Sequence, residues 1–108
     1  MLDTAGKNID SKQPWPQNAL LTVNTATKAL TITPTSYVFR HCSQFVSPGA
    51  KVVATSGGDA IAFKNLDGSI VAIMYNSGSA ATYTLAVGGK KLQFSMPANG
   101  WATVDYLP

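Results

Sequence analysis

The chain has 108 residues, 45% of them hydrophobic and only 12% charged, a balance that excludes charge-driven disorder and suits one compact domain. Its net charge of +3 comes from eight scattered basic residues set against five aspartates, with only Lys90 and Lys91 adjacent, so the concentrated cationic stripe of a nucleic-acid binder is missing. No run approaches the roughly 18 consecutive apolar residues of a membrane helix, and neither nucleic acid nor membrane is an expected partner.

Residues 1–18 mix Gly6, Asn8, Asp10, Pro14, Pro16 and Asn18 with few apolar positions and show no period, which reads as a linker or tail. The first residues lack a basic region followed by an apolar one, so no signal peptide is expected in this chain. From residue 20 the pattern becomes β-rich: 20–24 and 30–33 are predicted strands joined by a polar loop. Over 36–46 the period changes. Val38, Cys42, Phe45 and Val46 fall on one helical face and predict a short helix, started near Pro34 and stopped by Ser47, Pro48 and Gly49, with Cys42 a small buried hydrophobe.

After Gly49 six runs follow, at 51–55, 60–64, 69–75, 82–87, 91–96 and 101–106, each bounded by turn residues. Asp67-Gly68 and Gly88-Gly89 supply the positive φ angles of tight hairpins. Alternation places Tyr83, Leu85 and Val87 on one face, as it does Leu92, Phe94 and Met96, and makes both sets core. The 70–74 run is apolar on both sides and reads as a central strand. The predicted fold is all-β: an antiparallel two-layer β-sandwich of about eight strands with one short helix.

Chemistry is constrained by the residue types. There is no glutamate, and His41, Cys42 and Arg40 are the sole members of their kinds, so neither a His/Cys metal cluster nor a disulfide framework is available. No catalytic residue, metal ligand or cofactor site is therefore assigned. His41, without an identifiable acidic partner, reads as a packed, hydrogen-bonded structural residue. Aromatic rings offer a different chemistry, since a flat face can stack on a sugar ring. Trp15, between two prolines, with Tyr75 and Trp101 are the candidate carbohydrate-binding residues, set against the alternative that such rings fill a core or interface.

The string from Tyr37 through Arg40-His41-Cys42-Ser43-Gln44-Phe45 to Ser47-Pro48-Gly49-Ala50-Lys51 resembles the C-terminal β-sandwich of glycoside hydrolase family 30. So do Ala60 to Asn65 with Asp67-Gly68-Ser69, and the ending Leu92 to Thr103. The resemblance covers residues 20 to 106 and makes Tyr37, His41, Phe45, Pro48 and Gly49 structural residues of the motif. Arg40 and Cys42 depart from it, standing where the family has glycine and phenylalanine. It implies a preceding (β/α)8 barrel with two catalytic glutamates, of which Leu2-Asp3 would end the last strand, and a parent enzyme that is secreted or periplasmic. Residues 1–18 then become a linker or barrel remnant, and 19–108 an accessory sandwich that is a fragment of that enzyme. The family's sandwich is completed by a strand from before the barrel. This chain is thus expected to expose an apolar inter-domain face, to self-associate through it, and to contact polysaccharide without hydrolysing it. The alternative reading is a stand-alone carbohydrate-binding module.

Overall fold

The computed structural model describes residues 2–7 and 18–108. Among these the chain forms nine strands and one α-helix: β1 Leu2–Asp3, β2 Leu21–Val23, β3 Leu30–Ile32, α1 Pro34–Ser43, β4 Lys51–Val53, β5 Asp59–Lys64, β6 Ile70–Tyr75, β7 Ala81–Val87, β8 Lys90–Met96 and β9 Trp101–Tyr106. Contacts divide the chain into a first unit, Met1–Arg40, and a second, His41–Pro108.

In the first unit β2 and β3 form an antiparallel hairpin, and β1 pairs in parallel with β2, Leu2 opposite Thr22 and Asp3 opposite Val23. The hairpin loop is built by Asn24, whose Oδ1 accepts from the amides of Ala26 and Thr27, both at 3.0 Å. Helix α1 begins at Pro34, where a missing N–H costs nothing because the first turn leaves its amides free.

The helix ends at Ser43, three residues before the end predicted from its apolar period. Pro48 has no N–H with which to continue the ladder. Asn65 also captures the exit backbone: its Nδ2 donates to the Phe45 carbonyl at 3.0 Å and its Oδ1 accepts from the Ser47 amide at 2.9 Å. No residue of α1 is buried, so Cys42 does not belong to a buried stripe. It is exposed, which corrects the reading of it as a buried hydrophobe.

The second unit holds the sandwich. One layer is a four-stranded antiparallel sheet in the order β4-β5-β6-β9, and the other is the hairpin β7-β8. The inner face of the larger sheet is mostly small, with Ala60, Ala62, Ala72 and Ala102 beside Val53, Met74 and Val104. The hairpin sets large side chains against it, Tyr83, Leu85, Phe94 and Met96. Small opposite large lets the layers interdigitate, and Ala62, Ala72, Met74 and Met96 are the buried centre of that contact. As predicted, β6 is central and buried on both sides: Val71 and Ile73 are as inaccessible on its outer face as Ala72 and Met74 on the inner.

Of the predicted hairpin core, Leu92 is the exception, at 48% exposed. It lies on β8, which has no neighbour on its far side among the described residues, so that flank of the layer is open. The β7–β8 turn is two glycines, Gly88 and Gly89, with φ of 56° and 76°. Positive φ at both central positions matches the twist of the flanking strands. The β8–β9 turn depends on Gly100 for a different reason: a Cβ there would lie 2.6 Å from Cγ of Pro97.

Candidate functional site

The aromatic candidates are placed by sheet register. Tyr75 on β6 stands directly opposite Asp59 on β5 and Trp101 on β9, so the three form one row on the outer face at the end of the sheet. The Tyr75 and Trp101 rings lie 4.9 Å apart, tilted by 36°, and His41 stacks on Trp101 at 6.1 Å. The His41 Nδ1 is 2.8 Å from the Thr103 hydroxyl, one outward position along β9. Trp101 nevertheless remains 42% exposed. Two of the three predicted sugar-binding residues thus come together, with His41 fixing their edge. Trp15 lies outside the described residues.

A polar rim borders the row. The Ser77 hydroxyl donates to Oδ2 of Asp59 at 3.3 Å, and the Tyr75 hydroxyl reaches Oδ1 of Asn99 at 3.5 Å, the outer limit of a hydrogen bond. Ser77 and Asn99 were not singled out from the sequence. Each sits in turn-like sequence, and only strand register reveals that the turns converge on the same two rings.

The structural candidates are dispersed. Tyr37 is 54% exposed on α1, while Phe45 is half-buried. Pro48 and Gly49 form the turn after the helix, in which the Ala50 amide bonds the Ser47 carbonyl at 3.0 Å. What holds this region is Asn65, a buried residue to which the sequence motif gave no role. Beyond its two bonds to the helix exit it donates to the Ser69 hydroxyl at 3.0 Å. Asn76 has the same function at the opposite end of the sandwich. Its Nδ2 donates to the carbonyls of Ser79 and Pro97, both at 2.8 Å, and its Oδ1 accepts from the Gly78 amide at 3.0 Å and the Tyr83 hydroxyl at 2.9 Å.

Electrostatics at these turns are local. The Asp67 carboxylate accepts from the Ser69 amide at 2.9 Å, and hydrogen bonding from Ser69 holds its pKa below the ordinary value of 3.8. Among the described residues no three His, Cys, Asp or Glu side chains gather as a metal site would require.

A cleft of about 310 Å³ opens between the layers of the second unit. Inner-face residues Val53, Ala62, Ala72 and Met74 floor it, β7 from Tyr83 to Val87 forms one wall, and the loop at 54–58 closes one side. It exists because two strands face four: at about 4.8 Å per strand the hairpin cannot span the sheet beneath it. The edge of β7 not paired with β8 is left without a neighbour among the described residues.

These features define a two-layer antiparallel β-sandwich module whose polar side chains knit turns and whose aromatics gather at one end of a sheet. Residues 49–104, more than half of the chain, match the glycosyl hydrolase family 30 beta sandwich domain, and the chain belongs to that family. Part of the crystal structure of SrfJ from Salmonella typhimurium has the same fold, with a TM-score of 0.83 at 23% sequence identity over 97% of this chain. That alignment takes in 24% of SrfJ, so this chain spans about a quarter of the length of that protein.

Proposed function

We propose that this chain is a non-catalytic accessory sandwich that supports a (β/α)8 barrel in a larger glycoside hydrolase. The observation that carries this reading is the surface of the first unit. Leu30, Ile32 and Phe39 are 54 to 60% exposed there, beside the parallel pair β1–β2. Parallel strands ordinarily lie in sheets covered on both faces, so a two-residue parallel strand beside exposed apolar side chains fits the rim of a larger α/β body. The open edge of β7 and the cleft beside it agree with a sandwich that a strand from elsewhere completes. With no glutamate in the sequence, the two-carboxylate chemistry of glycoside hydrolysis has no acid or nucleophile of the family's kind here.

Light scattering tests this directly. The chain alone is expected to self-associate as its concentration rises, to return to a single defined complex when a separately produced family 30 barrel is added, and to release no reducing sugar from polysaccharide. A monodisperse monomer at high concentration that ignores the barrel would overturn the reading. A second reading, contact with polysaccharide, is favoured by one observation, the adjacency of Tyr75 and Trp101 on an exposed sheet end.

A further inference from the structure

We infer that the row Asp59, Tyr75 and Trp101, with Ser77 and Asn99 at its rim, is a subsite for two consecutive neutral pyranose rings of a β-linked glycan. This rests on the polysaccharide-contact reading above and gives it a place and a ligand class.

Three adjacent strands carry the row, so it runs about 10 Å from the Asp59 position to the Trp101 position, the reach of a disaccharide laid across the sheet. One ring packs on the part of the indole left open, and the next lies over Tyr75 toward Asp59. The chemistry at the two ends differs. Aromatic faces carry negative potential and attract the polarised axial C–H groups of a flat pyranose, which favours β-linked sugars that present such a face. Asp59 is acceptor-only and takes hydrogen bonds from a pair of adjacent sugar hydroxyls, while the Ser77 hydroxyl both donates and accepts. The Asn99 amide nitrogen adds a donor, since its Oδ1 already faces the Tyr75 hydroxyl.

The same carboxylate sets the specificity. A uronic acid seated beside Asp59 would bring two negative charges together, whereas a neutral sugar offers only hydroxyls. The platform is also held before ligand arrives. Trp101 is stacked by His41 and Tyr75, and His41 is itself fixed on Thr103, so little side-chain freedom remains to be lost on binding.

Calorimetric titration of the whole chain with xylohexaose and cellohexaose as neutral probes, and with hexagalacturonate as the charged one, tests the assignment. Saturable binding of a neutral probe and none of the uronate is expected. Asp59→Asn, an exposed change that leaves the fold intact, is expected to weaken neutral binding at least about tenfold and to relax the rejection of uronate. Trp101→Leu, scored only if its circular dichroism matches the parent, is expected to abolish binding. Equal binding of neutral sugar by the parent, Asp59→Asn and folded Trp101→Leu would place the contact elsewhere and overturn this subsite while sparing the polysaccharide reading. Preference for the uronate would overturn the subsite as well, and no binding by the parent to any probe would overturn both.

Discussion

Two asparagines hold this sandwich together where its strands end. Asn76 is 2% exposed and uses both amide hydrogens and two acceptor positions on four groups drawn from the 77–79 turn, β7 and the β8–β9 turn. An alanine there would remove the part-buried bonds to the Ser79 and Pro97 carbonyls and the Tyr83 hydroxyl. Asn76→Ala is expected to lower stability by about 3 kcal/mol, read as a shift in the urea midpoint at unchanged slope. Asp67 acts through charge. Its pKa is depressed in the folded chain, so its contribution is complete above about pH 4 and is lost as pH falls through the folded value. Asp67→Asn keeps an acceptor for the Ser69 amide but cannot titrate. The melting temperature of the variant is expected to fall less steeply than that of the parent below pH 4. Neither residue could be ranked from sequence, since Asn and Asp recur in the turns and only the fold shows that Asn76 is buried and that the exposed Asp67 accepts from Ser69.

At the scale of elements, period and punctuation were legible. The two-glycine turn, the Asp67-Gly68 hairpin and all six strands after Gly49 form where alternation and turn chemistry place them. Helix α1 was legible in kind but not in length, because its end depends on Asn65, twenty residues beyond Phe45 in the chain. The hairpin β7–β8 shows how a face can be assigned correctly and a single position still differ. Met96 is 2% exposed at the centre of the contact between layers, while Leu92, on the same face, lies where the layer has no neighbour. Met96→Ala is accordingly expected to cost about 2 to 5 kcal/mol in denaturant unfolding, and Leu92→Ala less than about 1.

Over the whole molecule the unequal layers matter most. Among the described residues of the second unit four strands are faced by two, which leaves the cleft, the unpaired β7 edge and part of an apolar inner face available. Exposed edges and apolar faces of this kind are liabilities that proteins cover, and the self-association expected of the isolated chain follows from them and from the apolar surface of the first unit. The proposed glycan contact, by contrast, uses the outer face of the larger sheet, where Tyr75 and Trp101 stand side by side.

The sequence by itself determined the all-β class, the order of the strands after Gly49, their inner and outer faces and the family, because these follow from alternation, turn residues and short motifs that are local in the chain. It also excluded a metal cluster built from several histidines and cysteines, since those residue types are absent in number. Only the tertiary structure decided that Tyr75 and Trp101 meet while Asp59, Ser77 and Asn99 border them, that Asn65 ends the helix, and that among the described residues of the second unit a hairpin faces four strands. Each of these depends on which strands become neighbours and in what register, and that pairing joins residues 16 to 62 positions apart through bonds and contacts with no local trace in the chain.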